Sequence, residues 1–303
     1  MKHLIIINPI AGGKNVRFDD TMQKAKAFVS DLGDPYEIYV TKAPLDAMQK
    51  VTSDALVNDN LYVYACGGDG TLNECANGAA NKPNVAIAPY ACGTGNDFVR
   101  MFGNEHTDIF RDFSAISRGS VRPFDLIECN GRYGINICSV GIDARIGGDV
   151  HKYSKIPLIG GATGYIVSTI VNLIKGINQT LTITIDGKSE TKSVSMICAC
   201  NGRFYGGGFN PVPDAMPDDG FIDLLIVDAL SRLKVPSVIG KYAKGQYREL
   251  SDIITHIKLQ RLDIESDTGF VLNLDGETTV TQNASFRIAP HAVRFLMPAG
   301  VIF

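Results

Sequence analysis

The sequence lacks the residue patterns of zinc-binding proteins and of disulfide-framework proteins. It contains seven cysteines, an odd number, with no Cys-x-x-Cys pair, and its five histidines are dispersed. Zinc sites need Cys and His ligands clustered at short spacings, and disulfide-rich secreted domains need paired cysteines, so we exclude both classes. Scattered cysteines embedded in apolar runs predict a reducing, cytoplasmic compartment.

The sequence also has no basic excess, and its first apolar run is short. The chain has 29 Lys and Arg against 32 Asp and Glu, a formal net charge of −3. This balance argues against a general nucleic-acid binder, and we expect no nucleic-acid partner. The apolar run at residues 4–7 is too short for a signal peptide and stops at Asn8-Pro9, which predicts a buried first strand.

The length and the first hundred residues predict two domains, of which the first is α/β. At 303 residues, 45% hydrophobic and 20% charged, the chain is long enough for two ordinary globular domains. Alternating strands and amphipathic helices predict a parallel sheet with helices on both faces. We expect strands at 4–7, 36–41, 61–65 and 85–88, and helices over 22–32 and 45–55.

From about residue 120 the pattern changes to paired strands. Asn130-Gly131 and Asp186-Gly187 each separate two β-rich runs, as in two-residue hairpin turns. We therefore expect a mostly antiparallel β-sandwich or flattened barrel, with one strand over residues 256–265. The apolar segment 156–174 interrupts this half. Its glycines and Pro157 favour a helix packed between the domains over a membrane span or an interfacial helix.

The most informative stretch is Cys66-Gly-Gly-Asp-Gly-Thr-Leu-Asn-Glu74, which follows a predicted strand. Thr71 with Glu74 three residues later has the pattern of a capping box, so we expect a helix to begin where the glycines end. Glycines before a helix N-terminus suit phosphate, because the backbone approaches closely and the exposed N–H groups favour an anion. Asp69 then predicts a bond to a substrate group or a role through Mg²⁺. We expect it in a solvent-facing loop, replaceable without loss of the fold.

Two further polar loops follow predicted strands of the same sheet. Asn-Pro-Ile-Ala-Gly-Gly-Lys at residues 8–14 follows the first strand, and Pro-Tyr-Ala-Cys-Gly-Thr-Gly-Asn-Asp at residues 89–97 follows the fourth. Ligands of parallel sheets bind beyond the strand C-termini, so three such loops predict one shared ligand site. Lys14 is a candidate phosphate contact, with a merely solvated lysine as the alternative.

Together these motifs resemble the diacylglycerol kinase catalytic-domain family, especially its bacterial soluble lipid kinases, over nearly the whole chain. The resemblance rests on the glycine-rich motifs at residues 67–71 and 93–100, on Asp125, and on the turns at 218–220 and 274–277. NAD kinases and phosphofructokinases resemble the first motif alone, whereas Gly-Thr-Gly-Asn-Asp-Phe with the late Asp-Gly-Glu is specific to lipid kinases. The resemblance implies an ATP- and Mg²⁺-dependent lipid kinase, most simply converting diacylglycerol to phosphatidate.

The resemblance also implies a domain division and site residues. A nucleotide-binding α/β domain would comprise residues 1–122 and 292–303, and a β-rich lipid-substrate domain residues 123–291. Asp69 would be catalytic, and Asp275 or Glu277 would take the proton of the lipid hydroxyl. A structural magnesium would bind the Asp219 carboxylate and the backbone carbonyls of Met216 and Phe221. The implied contacts to ATP and Mg²⁺ are Asn8, Gly12, Gly13, Lys14, Thr41, Gly67, Gly68, Asp69, Gly70, Thr71, Gly93, Thr94, Asn96, Asp97 and Asp125.

Other functions remain open on the sequence alone. A kinase of the same fold could act on phosphatidylglycerol or a sphingoid base. An NAD kinase is disfavoured because the sole Asn-Glu pair, Asn73-Glu74, belongs to the predicted helix cap. A non-catalytic nucleotide or lipid sensor is disfavoured because the acids of the late turn are present. As partners we expect a lipid alcohol and peripheral membrane contact, with a homodimer as the alternative to a monomer.

Overall fold

A computed structural model describes residues 1–12, 18–146 and 176–301. The chain divides into two compact units: unit 1 comprises Met1–Leu126 with Ala289–Phe303, and unit 2 comprises Ile127–Ile288. The predictions for Gly13, for Lys14 and for the apolar segment 156–174 lie outside the described residues. Among the helices that the structure describes, none has the length and apolar character needed to cross a membrane.

Unit 1 is built on parallel strands. Strand β1 (Lys2–Ile7) pairs with β2 (Tyr36–Val40) and with β3 (Leu61–Gly67), and β3 pairs with β4 (Val85–Ala91), each in parallel register. Five of the six residues of β1 and all seven of β4 are buried. Strands of this kind read as continuous apolar runs because no face of the strand meets water.

Helices α1 to α5 belong to unit 1, and one of them begins where the sequence did not predict. Helix α3 starts at Asp69, with Gly68 as its N-cap residue and no side-chain cap. The capping-box prediction was therefore wrong. Glu74 instead accepts hydrogen bonds from the backbone amides of Leu45 and Ala47, at the start of α2. The helices are α1 (Phe18–Ser30), α2 (Asp46–Ala55), α3 (Asp69–Ala79), α4 (Asp97–Arg100) and α5 (Phe113–Ser117).

The end of the last strand, β13 (Glu277–Met297), completes unit 1. Its residue Phe295 pairs in parallel with Ile87 of β4. Phe295 is fully buried, and its ring centroid lies 4.5 Å from that of Phe98 and 5.2 Å from that of Phe124. The apolar run at residues 293–296, whose partner the spacing did not predict, thus pairs with β4.

Unit 2 consists mainly of antiparallel strands. Both predicted two-residue turns are present, with positive φ at Asn130, Gly131, Asp186 and Gly187, as turns of the I′ type require. The prediction of one strand over 256–265 was wrong, because one strand ends at Leu259 and another begins at Arg261. Strand β5 (Ser120–Cys129) begins in unit 1 and ends in unit 2. The strands within unit 2 are β6 (Arg132–Gly134), β7 (Ile137–Gly141), β8 (Gln179–Ile185), β9 (Lys188–Cys200), β10 (Ile222–Asp228), β11 (Ile254–Leu259) and β12 (Arg261–Leu274).

The strands of unit 2 bury side chains on both faces. In β10, Leu224 and Ile226 belong to one apolar cluster, whereas Leu225 and Val227 belong to another. Successive side chains of a strand point to opposite faces, so one strand contributes to two cores. Helix α6 (Val235–Tyr242) packs in the second cluster. The seven cysteines are free and buried.

Candidate functional site

The loops after β1, β3 and β4 meet at the carboxyl edge of the parallel strands of unit 1. Asn8 donates through Nδ2 to the Thr71 hydroxyl at 3.0 Å, which joins the first loop to α3. The amide of Gly93 donates to the carbonyl of Gly67 at 3.0 Å, which joins the third loop to the end of β3. Three segments distant in sequence therefore form one polar surface.

Close backbone contact explains the glycines of this surface. A Cβ at Gly93 would lie 2.2 Å from the Cα of Gly68, and a Cβ at Gly67 would lie 2.3 Å from the Thr71 hydroxyl oxygen. Gly12 has φ of +84°, and a Cβ there would lie 3.0 Å from the carbonyl oxygen of Cys92. A Cβ at Gly70 would meet nothing within 4 Å, so the first turn of α3 faces open space.

The open first turn of α3 suits an anion. The helix has no side-chain cap, so its leading N–H groups are not used by one. Thr94 is exposed in the loop after β4. Asn96, at φ of 54°, closes that loop by accepting from the amide of Gly93 and donating to its carbonyl. Thr41 lies at the same strand edge, and its amide donates to Ile7 at 3.0 Å. These groups fit a phosphate, because a helix N-terminus favours negative charge.

Asp69 lies in the first turn of α3 and is half-buried, so its prediction as a solvent-facing loop residue was wrong. Its Oδ1 accepts from the backbone amides of Asp97 at 2.6 Å and Phe98 at 3.4 Å. Burial raises the pKa of Asp69, and the amide hydrogen bonds oppose that rise. Asp69 therefore holds the start of α4.

A second carboxylate, that of Asp97, lies beside Asp69 at Gly95. Asp97 is buried, its Oδ1 accepts from Arg100 at 2.9 Å, and Arg100 also donates to the carbonyl of Gly95 at 3.1 Å. A Cβ at Gly95 would lie 2.5 Å from Oδ2 of Asp69 and 3.8 Å from Oδ2 of Asp97. Two carboxylates around one small space fit hydrated Mg²⁺, which takes one or two carboxylates together with water and phosphate oxygens.

Asp125, one of the contacts to ATP and Mg²⁺ that the resemblance implies, has a different set of partners. It is 1% exposed and accepts from the backbone amide of His291 at 2.7 Å. His291 has φ of 54°, so the buried carboxylate supports an unusual backbone conformation just before the end of β13. In the described parts of the chain, no three His, Cys, Asp or Glu side chains are grouped as a metal site. A contact of Asp125 with Mg²⁺ through water stays a prediction.

In unit 2, Asp275 occupies the turn between β12 and β13. Its carboxylate accepts from the backbone amides of Ile135 at 2.5 Å, Asn136 at 3.0 Å and Ile137 at 2.9 Å. Hydrogen bonds from three amides stabilise a carboxylate in its charged form. Asp275 is therefore an anchor that fixes the turn to the loop before β7.

Glu277, two residues later, differs from Asp275 in its exposure and in its hydrogen-bond partners. It is the first residue of β13, its side chain is exposed, and no hydrogen bond or ion pair engages it within the described residues. The adjacent Gly276 donates its amide to Oδ1 of Asn273 at 2.8 Å, which stiffens the turn. Of the two acids in this turn, Glu277 alone presents its carboxylate to solvent.

Two buried asparagines were missed in the sequence: Asn136 on the loop before β7, and Asn201 directly after β9. Asn201 donates its side-chain amide to the carbonyl of Ile135 at 2.7 Å, and the backbone amides of Asn201 and Gly202 donate to the carbonyl of Asn136. Asp275 and Asn201 thus hold this loop from two sides. The signal available in the sequence was Asn201-Gly202 directly after an apolar strand, a pattern shared with ordinary turns.

An apolar cavity in unit 2 lies against α6. Its walls include Ile142, Ile177 and Phe209, and its polar groups include Asp143 and Tyr205. Asp143 accepts from the hydroxyls of Ser139 at 2.7 Å and Tyr205 at 3.0 Å. Burial raises the pKa of Asp143, and these two hydrogen bonds oppose the rise. An apolar pocket with a few placed polar groups is the usual form of a small-molecule site.

A chain of hydrogen bonds runs from this cavity towards the Asp275 turn. Ser139, which donates to Asp143, also accepts from the side-chain amide of Asn273 at 3.4 Å. Asn273 in turn accepts from the amide of Gly276. The polar end of the cavity and the turn that carries Glu277 are therefore connected through buried side chains.

The turn proposed to hold a structural magnesium has a lysine at its carboxylate. Asp219 accepts from Lys258 Nζ at 2.6 Å through Oδ2 and from the amide of Phe221 at 3.0 Å through Oδ1. Met216 receives a hydrogen bond on sulfur from Arg203 at 3.0 Å. One oxygen of Asp219 is held by an ammonium and the other by an amide, whereas the ion pair of Asp97 with Arg100 uses Oδ1 alone. These contacts disfavour a structural magnesium at Asp219, and its ligand set stays a prediction.

Two family models match the chain. Residues 2–129 match the model described as "Diacylglycerol kinase catalytic domain". Residues 136–297 match the model described as "YegS C-terminal NAD kinase beta sandwich-like domain". The two matches leave few residues of the chain uncovered, and they divide it close to the boundary between units 1 and 2.

The chain is similar to individual proteins over most of their length. The chain is 27% identical over 299 residues to "Probable lipid kinase YegS-like" of Shewanella frigidimarina, covering 96% of this chain and 94% of that protein. It is 27% identical over 249 residues to a "Putative lipid kinase" of Staphylococcus haemolyticus, covering 82% and 80%. A crystal structure of "a putative diacylglycerol kinase" from Bacillus anthracis aligns with a TM-score of 0.77 and 27% identity, covering 99% and 96%.

Proposed function

The chain belongs to the diacylglycerol kinase catalytic-domain family, and from that premise we propose that it transfers the γ-phosphoryl group of ATP to the hydroxyl of diacylglycerol, with Mg²⁺. Family and relatives indicate a lipid kinase. Diacylglycerol as the acceptor, the nucleotide and the metal are the finer parts of the proposal.

The observation that carries the proposal is the meeting of three polar loops at the uncapped start of α3. Phosphoryl transfer depends on positioning the phosphates and on offsetting their charge. The amides of the first turn of α3 and the exposed hydroxyl of Thr94 would bind phosphate oxygens, while the buried Thr71 holds the first loop through Asn8. Asp69 and Asp97 would hold Mg²⁺, which would neutralise charge on the phosphates.

In the proposed reaction Glu277 accepts the proton of the attacking hydroxyl. An alcohol is a weak nucleophile at neutral pH, and a positioned carboxylate assists by taking its proton as the bond to phosphorus forms. Glu277 is exposed and unengaged in the described structure, whereas three amides occupy the carboxylate of Asp275. Asp275 is thus a positioning residue that fixes the turn on which Glu277 lies.

The apolar cavity of unit 2 supports a lipid rather than a soluble metabolite as acceptor. Its lining is largely aliphatic and aromatic, which suits the methylene groups of an acyl chain, and its volume of about 70 Å³ admits a short part of one. At its polar end, Asp143 and Tyr205 could hydrogen-bond an ester or hydroxyl group. The hydrogen-bond chain through Ser139 would then couple the position of the bound lipid to the turn of Glu277.

The test is transfer of radiolabel from ATP in mixed micelles to a panel of acceptors. Diacylglycerol, phosphatidylglycerol, a sphingoid base and NAD would be compared, and label in phosphatidate is the expected product. Label in NAD alone would refute the proposal that the protein is a lipid kinase. Label in none of the acceptors, despite ATP binding, would also refute it and would indicate a nucleotide sensor. Glu277→Gln serves as the inactive control.

A further inference from the structure

Residues 229–248, called here the basic segment, have a charge unlike the rest of the chain. The segment lies between Asp228 and Glu249 and contains no acidic residue, although the whole chain has a net charge of −3. Its basic residues are Arg232, Lys234, Lys241, Lys244 and Arg248. Lys241 pairs with Glu249 and Arg248 with Asp214, whereas Lys234 and Lys244 are exposed and form no ion pair within the described residues.

The basic segment also carries the most exposed large hydrophobic side chain that the structure describes. Leu233 is 93% exposed at the centre of a short 3₁₀ helix, Arg232–Lys234. A single exposed leucine is common on protein surfaces and indicates nothing by itself. Here it stands between two basic residues, so an apolar tip is combined with positive charge.

The same segment forms one wall of the apolar cavity. Leu230, Val235, Val238 and Ile239 all line it. Val235 and Ile239 are only half-buried, so this wall reaches the protein surface within a few residues of Leu233. A molecule at the outer end of the cavity would therefore lie next to the basic segment.

We propose that the basic segment docks on a bilayer containing anionic phospholipid, with Leu233 inserted below the headgroups. Such a bilayer offers negative charge at its surface and an apolar layer directly beneath it, which matches cations around an exposed leucine. An acidic protein or a nucleic acid would satisfy the charges alone. Docking in this way would place the cavity wall at the bilayer surface. Lipid could then pass from the bilayer to the cavity, and this part of the proposal rests on the proposed function.

The first measurement is co-sedimentation of the whole protein with vesicles, without any turnover. Vesicles of phosphatidylcholine with phosphatidylglycerol would be compared with vesicles of phosphatidylcholine alone. We expect Leu233→Gln to weaken binding to the anionic vesicles about tenfold or more, because one buried leucine contributes that much to partition. The double variant Lys234→Glu/Lys244→Glu should weaken binding at least about tenfold at low salt, and less at high salt.

Matched controls make this result specific. Leu56→Gln removes another leucine, 79% exposed in unit 1, and Lys26→Glu/Lys188→Glu reverses two exposed lysines elsewhere. Both controls should bind vesicles as the wild type does. The proposal is overturned if the wild type does not bind anionic vesicles, if Leu233→Gln binds as well as the wild type, or if the controls weaken binding equally.

A second measurement separates this proposal from that of the reaction. Monomeric short-chain diacylglycerol, below its aggregation threshold, should be phosphorylated at the wild-type rate by Leu233→Gln, because no bilayer is involved. Diacylglycerol in anionic vesicles should be phosphorylated more slowly by that variant. If no form of the protein phosphorylates either substrate, the reaction is refuted while the sedimentation result still decides the docking surface. If Leu233→Gln loses as much activity on monomeric diacylglycerol as on diacylglycerol in vesicles, the docking role is overturned.

Discussion

Loss of charge at the two acids of the β12–β13 turn should affect two different properties of the protein, its stability and its turnover. Asp275→Asn keeps the shape of the side chain but places an NH₂ group where a carboxylate oxygen accepted an amide. Glu277→Gln changes an exposed side chain with no partner in the described residues. We therefore expect Asp275→Asn to lower stability and Glu277→Gln to lower turnover at unchanged stability.

The expected magnitudes follow from the contacts. In Asp275→Asn the amide oxygen can still accept from Asn136 and Ile137, but the amide of Ile135 then faces another donor. A buried donor left unpaired costs about 1–3 kcal/mol, and loss of the charge weakens the two remaining bonds. A total of about 2–3 kcal/mol corresponds to a melting midpoint lower by roughly 4–12 °C. Removal of a general base should lower turnover by about 10²–10⁴-fold.

The assay combines thermal unfolding with the radiolabel transfer assay on the same preparations. Asp186→Asn is the matched control for stability, since Asp186 has φ of 50° in a similar hairpin turn, against 49° for Asp275. Asp186 is exposed and lacks the three amide donors, so its midpoint should not move. Glu265→Gln, at another exposed glutamate of unit 2, is the matched control for turnover.

Two results would refute this reasoning. Wild-type turnover in a folded Glu277→Gln variant would remove Glu277 as the base. An unchanged melting midpoint in Asp275→Asn, together with a large loss of turnover, would instead identify Asp275 as the base and not as the anchor. ATP affinity should stay near the wild-type value in both variants, since neither acid lies in the phosphate-binding loops.

Three further predictions concern other carboxylates. Asp69→Asn should lower turnover about 10²-fold or more with little loss of stability, whereas Asp69→Ala should also lower the melting midpoint, because it leaves two amides unpaired; equal midpoints would contradict this. Added Mg²⁺ should not raise the midpoint through Asp219, which Lys258 already neutralises, and a rise abolished by Asp219→Asn would contradict it. Lys2 and Lys50 outweigh burial and lower the pKa of Asp54. Asp54→Asn should therefore cost about 2 kcal/mol at pH 7, and titration of the unfolding free energy should show this difference lost as the pH falls below the ordinary carboxyl value of 3.8; a difference that persists at lower pH would contradict the assignment.

Sequence patterns predicted correctly those elements whose conformation depends on neighbouring residues. The strands of unit 1 and the turns at Asn130-Gly131 and Asp186-Gly187 depend on apolar runs and on glycine backbone freedom, which neighbouring residues determine. The capping box failed because Glu74 caps α2, whose first residues lie 27 and 29 positions earlier. A pattern of four residues carries no information on such a partner.

The roles within the candidate site could not be read from spacing for the same reason. Asp275-Gly276 looks like any hairpin turn, and the amides that bind its carboxylate come from residues 138 to 140 positions away. Asp143 and Asn201 lie in stretches without a motif, and their function depends on partners in other strands. Lys258 was missed at Asp219 because 39 residues separate them.

The return of β13 to unit 1 has a consequence for the order in which the protein is made. A ribosome releases residues 1–126 long before Phe295, which fills the space beside Phe98 and Phe124 and pairs with β4. Domains usually fold as they emerge, the N-terminal one first. Here unit 1 must wait, with part of its apolar core exposed, until unit 2 has been synthesised. The chain finishes its first domain last.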